Sequence, residues 1–398
     1  MKTPKFIALF CALILLLSGC SYFSWQPAAS PQEEYYDPTK YVDEFRSNLQ
    51  YNLLNDREKH GYGQIYTAVR DNETTDSFVP YADGIDHPGI RIPLYNIQFT
   101  SEEMSHLFEV FFRDNPRFFY LDRTYSLEGF DKDGKTLYNT ILLQFTMSAE
   151  ERTQAIDKLE HTVSAILAAA PHSDDDYEME LYLHDRLLSA CVYDDRAASS
   201  SSVEYANAYS AYGALVEGTA VCEGYAKAMQ LLLTSASIPA TVVLGNAAED
   251  NEAHMWNAVI INGNNYYLDP TWNDNEAYIQ HTYFNMTSHM LSKTHIPEKD
   301  SYSLNCTAVS DNYHYRNGTY IDTYERDVIA EIIANRVAAK DTVIQLRFVD
   351  GKYENALLFL KNSSLAQRTI NKYLQNGTMW EYDLLTQARQ GTITLCKK

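Results

Sequence analysis

Hydrophobic residues recur at helical and strand spacing through the first third of the chain. Thr100 and Glu103 form a capping-box pattern, and apolar residues then follow at helical spacing until a proline ends the run. The next segment, GKTLYNTILLQFTM, is typical of a strand, and a second capping box, Ser148 with Glu151, opens another helix. The sequence therefore predicts a mixed α/β domain over residues 41–150, whose motifs carry no obvious chemistry.

The middle of the chain predicts two helices followed by a sheet. After a small, polar loop, the second helix begins at Cys222, and the segment ATVVLGNA then predicts a strand. An Asn-Gly turn at residues 262–263 joins two further strands, HMWNAVIING and NNYYLDPTW, as a hairpin. We place the central core at residues 151–310. The first of the two helices precedes the polar loop. It places these side chains along one stripe: Tyr177, Leu181, His184, Leu188 and Cys191.

The last part of the chain, residues 311–398, predicts a small α+β domain. The segment YERDVIAEIIANRVAAK is typical of a helix, and an Asp-Gly turn follows a strand at DTVIQLRFV. Beyond that turn the pattern fits either strand or helix, and GTITLCKK predicts a final strand. With separate helices and hairpin-linked strands in each part, the predicted fold class is α+β.

The first twenty residues form a processing signal rather than part of the fold. Lys2 and Lys5 precede the apolar run FIALFCALILLL, and LSGC closes it. This pattern is similar to a bacterial lipoprotein signal, which implies a signal peptide over 1–19 and lipidation of Cys20. A transmembrane anchor is disfavoured because the run is shorter than a spanning helix. We expect residues 20–40 to tether the protein to the extracytoplasmic face of the bacterial cell membrane.

Composition narrows the function classes. The formal charge is −21, which argues against a nucleic-acid partner, because such proteins need a basic surface. The cysteines show no CxxC or Cys/His metal spacing, so we expect no metal and no cofactor. An exported protein permits disulfides, and a Cys306–Cys396 pair is one possibility that the sequence leaves open.

Cys222 has the setting that a nucleophilic thiol needs. It lies at the predicted N-terminus of a helix, where the dipole and unpaired N–H groups favour a thiolate. A thiolate enzyme also needs an imidazole base and an acceptor that orients it. His254 and Asp269 lie on the two strands of the predicted hairpin, which can bring them together across the ladder. A buried structural thiol is the alternative for Cys222.

Three blocks in this region resemble the transglutaminase-like, papain-related cysteine enzymes. AVCEGYA, HMWN and YYLDPTW match that family in order and spacing, and the likeness covers about residues 178–290. The resemblance implies a Cys-bearing helix packed on an antiparallel sheet that bears His and Asp. It also implies Cys222 as nucleophile, His254 as base and Asp269 as orienting group.

The remaining site residues are less constrained. The backbone N–H of Cys222 is one expected oxyanion donor, and Tyr212 is a candidate for the second, with core packing as its alternative. Trp256 and Trp272 either line the cleft or fill the core of the sheet. Glu223 is expected to point outward, since its charge would oppose a neighbouring thiolate.

The sequence thus predicts attack on a peptide or glutamine carboxamide by Cys222, with a protein or peptide substrate from the cell envelope. Hydrolysis of the acyl-enzyme is favoured over cross-linking, because water is the abundant acceptor. Two alternatives stay open: a protein transglutaminase that transfers the acyl group to an amine, and a non-catalytic binding module that keeps the fold.

Overall fold

The computed structural model describes residues 35–80, 84–200, 203–275, 277–299, 301–374 and 380–398. The chain forms two compact units, each assembled from two stretches of sequence. The first unit runs to Ala169 and resumes at Asp194–Val242. The second comprises Ala170–Tyr193 and Val243–Lys398. The signal peptide, Cys20 and most of the tether lie outside the described residues, and the three-part domain division stays a prediction.

The helices lie close to where the sequence predicts them. The capping boxes at Thr100 and Ser148 are present, and each first helical turn is closed by the glutamate three residues on. The helices are α1 (Val42–Phe45), α2 (Asp56–Asn72), α3 (Ser101–Asp114), α4 (Ala149–Ala168), α5 (Asp176–Leu188), α6 (Asp195–Ala198), α7 (Cys222–Ser235), α8 (Pro270–Asn273), α9 (Ser288–Leu291), α10 (Tyr313–Arg316), α11 (Arg326–Ala338), α12 (Tyr353–Lys361) and α13 (Ser363–Ile370).

The strands confirm the α+β class. Apart from the parallel pair formed by the first two strands of the C-terminal sheet, the recorded pairings are antiparallel. The strands are β1 (Phe78–Pro80), β2 (Asp86–Pro93), β3 (Leu121–Lys132), β4 (Lys135–Phe145), β5 (Val192–Tyr193), β6 (Thr219–Ala220), β7 (Ala240–Ala247), β8 (Ala253–Ile261), β9 (Asn264–Leu268), β10 (His295–Pro297), β11 (Tyr320–Ile321), β12 (Val343–Phe348), β13 (Tyr382–Gln387) and β14 (Thr392–Lys397).

Each of the three larger sheets has four strands. The first unit contains the order β1-β2-β4-β3, and the second contains β11-β12-β14-β13. The sheet β10-β7-β8-β9 carries the hairpin predicted from sequence, and β7 begins at the end of the first unit. Asn262 and Gly263 both have positive φ, 50° and 77°, which is the backbone that a tight two-residue hairpin turn requires.

The apolar stripes predicted from sequence form the cores. In the first unit, Met104, Leu107 and Phe111 of α3 pack in a cluster rich in aromatic rings. In the second unit, Ile344 and Leu346 of β12 pack with residues of α11 and α12. No helix in the described ranges is long and apolar enough to cross a membrane.

Candidate active site

Cys222 is the first residue of α7, as the sequence predicts. The chain enters the helix from an extended residue, Val221, whose N–H donates to the carbonyl of Ala208 at 3.0 Å. Gly224 is required here, because a Cβ at that position would lie 2.4 Å from the same carbonyl oxygen. Cys222 is partly exposed, and its backbone N–H belongs to the first helical turn, whose N–H groups have no intrahelical acceptor. The thiol therefore has the helix N-terminus that its proposed chemistry needs.

The prediction for Glu223 is wrong. Its side chain is buried in the first unit, where it forms ion pairs with Arg123 of β3 and with Lys227, one helical turn on. The Lys227 Nζ to Glu223 Oε1 distance is 2.7 Å. Two cations thus offset the carboxylate beside Cys222, and one of them, Arg123, lies within residues 41–150, whose sequence motifs carry no obvious chemistry. No pattern of spacing or periodicity links Arg123 to this helix.

His254 and Asp269 lie together in the second unit. His254 is near the start of β8, and Asp269 immediately follows β9. Nε2 of His254 lies 2.8 Å from Oδ2 of Asp269, and both side chains are buried. Asp269 also accepts the backbone N–H of Trp272 at Oδ1, 3.1 Å away, and so caps the short helix α8. Because Nε2–H of His254 is held by the carboxylate, the lone pair of the neutral ring resides on Nδ1.

A second imidazole, which the sequence analysis did not associate with this site, shares the same carboxylate. Nε2 of His295 lies 3.0 Å from Oδ2 of Asp269, so one oxygen accepts from two histidines. Burial opposes ionisation of Asp269, but the charge and hydrogen bonds of His254, together with those of His295, outweigh it and hold the pKa of Asp269 below its usual range. Burial is the largest influence on His295 and lowers its pKa. We call these three residues the Asp269 cluster.

The two tryptophans have different places. Trp256 is fully buried, within the core formed by the sheet, and its ring meets His295 edge-on at 4.7 Å. Trp272 is partly exposed, and its ring stacks on His254 with centroids 4.8 Å apart and an interplanar angle of 21°. Of the two, Trp272 therefore covers the imidazole of His254, while Trp256 fills the core.

Tyr212 packs rather than projecting its ring into solvent. It is buried in the first unit, where its ring stacks on Phe119 at 4.7 Å with an interplanar angle of 15°. Burial raises the pKa of its hydroxyl. The core-packing alternative for Tyr212 is confirmed, and its use as an oxyanion donor stays a prediction.

The second unit holds another His–Asp–His arrangement, the Asp185 cluster. Nδ1 of His184 and Nε2 of His281 each lie 2.8 Å from Oδ1 of Asp185. His184, from the side-chain stripe predicted for this helix, is fully buried and hydrogen-bonded. It was not expected to share a carboxylate with His281, a residue 97 positions later in the chain that no local spacing connects to it.

The two histidines and the aspartate of the Asp185 cluster are residues that can bind a metal ion. The directions of their hydrogen bonds, however, do not fit metal binding. The Tyr283 N–H donates to Asn273 Oδ1 at 2.9 Å, so Asn273 turns its amino group toward His184 Nε2, 3.1 Å away. His184 must then carry its proton on Nδ1 and donate it to Asp185. A metal would need the lone pair on that nitrogen. This arrangement favours a closed hydrogen-bond network over a cation site.

None of the four described cysteines, Cys191, Cys222, Cys306 and Cys396, forms a disulfide, so the possible Cys306–Cys396 pair is not formed. Burial raises the pKa of Cys306 to about 12, and it also raises that of Cys396. Cys191 and Cys306 are buried, whereas Cys222 and Cys396 are partly exposed.

Comparison with known proteins gives a family match over part of the chain. Residues 167–270, which include Cys222, His254 and Asp269, match the family model described as "Transglutaminase-like superfamily". A search of curated proteins found no match.

Solved structures similar to the chain include one described as a TGase, with 15% identity, covering 53% of this chain and 59% of that one at a TM-score of 0.28. A candidate cysteine protease from Cytophaga hutchinsonii shares 16% identity over 38% of this chain and 63% of that one, at a TM-score of 0.23. A candidate protease from Parabacteroides distasonis shares 12% identity over 36% and 30%, at 0.21. The chain spans less than two thirds of each of these structures, and the scores are too low to add to the family match.

Proposed function

Since residues 167–270 belong to the transglutaminase-like superfamily, we propose that the protein is a lipid-anchored cysteine enzyme of the extracytoplasmic face. It would cleave peptide or glutamine carboxamide bonds through Cys222, His254 and Asp269. The observation that carries this proposal is the buried Asp269 carboxylate, 2.8 Å from Nε2 of His254. That contact fixes the tautomer in which Nδ1 of His254 is the basic nitrogen.

The proposed reaction uses each group in turn. Nδ1 of His254 takes the thiol proton, and the Cys222 thiolate attacks the carbonyl carbon. The N–H groups at the start of α7 stabilise the oxyanion that forms. His254 then returns its proton to the leaving amine as the C–N bond breaks, which leaves an acyl-enzyme. Water, deprotonated by His254, attacks the thioester, releases the acid and restores the thiol.

Thiol labelling tests the first step. We expect Cys222 to react with iodoacetamide between pH 6 and 7 faster than a free thiol does, because that reaction needs the thiolate. Cys396 is the internal control, since it is also partly exposed but has a raised pKa. Peptide mass spectrometry of the full chain would locate the label. Equal, slow labelling of both residues would contradict the proposal and favour a binding module.

Product analysis separates hydrolysis from transfer. We expect the protein to release new amino groups from an unfolded protein substrate, and to release more of them than it incorporates of a labelled primary amine. Cys222→Ala should abolish this release, while Cys396→Ala should retain it. Predominant incorporation of the amine into glutamine side chains would establish a transglutaminase instead.

Cys20 gives a separate test of location. In cells fed a labelled fatty acid, we expect label on the wild-type protein and none on Cys20→Ala, which should also leave the membrane fraction. Cys11→Ala is the matched control, because Cys11 lies within the predicted signal peptide. Label that persists in Cys20→Ala would refute lipidation at this residue.

A further inference from the structure

The C-terminal part of the second unit is connected to Asp269 by a chain of buried polar side chains. The chain begins at Arg347 on β12 and continues through Gln390, in the short turn before β14. It then passes through Thr294 and His295, at the start of β10, to Asp269. All five residues are buried, with exposed fractions between 0% and 5%. Nothing in the proposed reaction so far uses Arg347, Gln390 or Thr294.

The orientation of Gln390 is fixed from both sides. Nη2 of Arg347, which can only donate, lies 2.5 Å from Oε1 of Gln390. The carbonyl of Met290, which can only accept, lies 3.0 Å from Nε2 of Gln390. Since the amide would face two mismatched partners if it were flipped, its amino group must point toward Thr294.

The direction of the next hydrogen bonds follows from this orientation. Nε2 of Gln390 donates to Oγ1 of Thr294 at 2.8 Å, which leaves the single hydroxyl proton of Thr294 for another acceptor. Nδ1 of His295 lies 2.9 Å from that oxygen. As the acceptor of this proton, His295 carries its own proton on Nε2, which faces Asp269 at 3.0 Å.

We propose that this relay, running from Arg347 through Gln390 and Thr294, sets the tautomer of His295 and so makes it a fixed donor to Asp269. His295, Thr294, Gln390 and Arg347 are then positioning residues for the proposed catalytic pair. The proposal rests on the proposed function in one respect, namely that Asp269 orients the base His254. On this account, the C-terminal part of the second unit becomes a structural part of the active site.

The surroundings of His295 act on its protonation in opposite directions, and burial outweighs the rest. The Leu291 carbonyl and the Asp269 carboxylate favour the protonated form, whereas burial and the neighbouring His254 disfavour it. Burial is the largest influence, and the pKa of His295 lies below its usual value. With Arg347 remaining a cation at neutral pH, its pKa lowered by burial only to about 10, every donor in the relay keeps its direction.

A fixed donor at Asp269 has a consequence for the base. Asp269 accepts from His254, His295 and the Trp272 N–H, so its oxygens cannot turn away from His254 without breaking other bonds. Loss of one of these donors would loosen the carboxylate and lower the fraction of His254 held ready for proton transfer. We expect the effect in kcat rather than KM, because none of the relay residues is required to touch substrate.

Two substitutions test the direction of the relay in the full chain. Thr294→Val removes the hydroxyl at nearly constant volume, and Thr294→Ser retains it. Gln390→Glu still accepts from Arg347 but presents an acceptor to Thr294, which would turn the hydroxyl away from His295. Nitrogen NMR of labelled histidine, with His295 assigned by loss of its signals in His295→Gln, reports which ring nitrogen carries the proton.

We expect wild type and Thr294→Ser to show His295 protonated on Nε2 alone. Thr294→Val and Gln390→Glu should show a mixed or doubly protonated ring, and kcat should fall about tenfold with KM within about twofold. An unchanged His295 tautomer in both variants would overturn the relay, and so would a changed tautomer with unchanged kcat. If the wild-type tautomer is as expected but the protein has no activity, the relay is supported and the proposed function fails.

Discussion

The Asp269 cluster and the Asp185 cluster contain the same three groups, one aspartate between two histidines, yet only the first contains the proposed catalytic base, His254. In both clusters a single carboxylate oxygen accepts from both imidazoles at 2.8–3.0 Å. In both, the histidine hydrogen bonds outweigh burial and keep the pKa of the aspartate below its usual range. Composition and distances therefore do not separate the two.

What separates them is the exposure of each carboxylate. Asp269 is completely buried, while the Asp185 side chain is 37% exposed. In the Asp185 cluster, Asn273 and Gln345 approach the second nitrogens of His184 and His281 at 3.1 and 3.3 Å, which ties both rings into the fold. The comparison teaches that distances alone do not single out a candidate catalytic His–Asp pair, and that Asp269 differs from Asp185 in its complete burial.

Replacing the aspartate of each cluster by asparagine should have the largest effect on kcat and should distinguish the two clusters. In Asp269→Asn, the amide oxygen keeps the Trp272 N–H and the amino group then faces both histidines. His254 must move its proton to Nδ1, where it can no longer accept one from the thiol, so kcat should fall by about 10³–10⁴-fold. Asp185→Asn should change kcat by less than about threefold and cost about 1 kcal/mol of stability.

Steady-state kinetics and chemical denaturation of both variants check this prediction. Asp350→Asn serves as a surface control, because Asp350 also pairs with a histidine, His289, but in solvent. If Asp185→Asn impaired kcat as strongly as Asp269→Asn does, the distinction between the two clusters would be lost.

The pH dependence of the free energy of unfolding tests the buried histidine of each cluster, with a smaller expected effect. Burial lowers the pKa of both His184 and His295, so the unfolded chain takes up these protons first as the pH falls below about 6.5. Stability conferred by the neutral rings is therefore present above that pH and is lost below it, by about 1.4 kcal/mol per pH unit for each proton. The two aspartates add to the loss only below about pH 4, because their folded pKa values lie under the unfolded value.

Urea unfolding between pH 7.5 and 5 measures this slope. His184→Gln and His295→Gln should each reduce it by up to one proton. Stability that rises as the pH falls through this range would contradict the buried neutral state of both rings.

Local features of the fold could be predicted from sequence because their causes are local. The capping boxes at Thr100 and Ser148, the Asn262-Gly263 turn and the helix that begins at Cys222 each depend on residues within a few positions of one another. The hairpin then brings His254 near Asp269 once its register is set, and the family motifs point to the same residues.

The rest depends on contacts between distant segments. His295 reaches Asp269 because β10 pairs with β7, and its tautomer depends on Gln390 near the end of the chain. The outward orientation predicted for Glu223 is wrong for the same reason, because Arg123, which offsets its charge, belongs to the distant strand β3. No periodicity or spacing records such encounters, so the sequence predicts the pairing of His254 with Asp269 but not the groups that hold the pair in place.

In each cluster an aromatic ring stacks on one histidine, and replacing these rings should have the smallest effect of the substitutions considered. Trp272 lies on His254 at 4.8 Å and 21°, while Tyr313 lies on His281 at 3.9 Å and 7°. Replacing either ring by Leu removes a contact of about 1 kcal/mol. Because Trp272 holds the base, Trp272→Leu should lower kcat about fivefold. Tyr313→Leu should reduce stability and leave kcat unchanged.

Phenylalanine variants of the same two positions keep a stacked ring and are the matched controls, so Trp272→Phe should recover most of kcat. The measurement is kcat alongside the free energy of unfolding for all four proteins. A loss of kcat in Tyr313→Leu comparable to that in Trp272→Leu would show that the Asp185 cluster communicates with the base through α8, whose ends carry Asp269 and Asn273. Independent effects would instead leave the two clusters energetically separate, as their hydrogen-bond networks suggest.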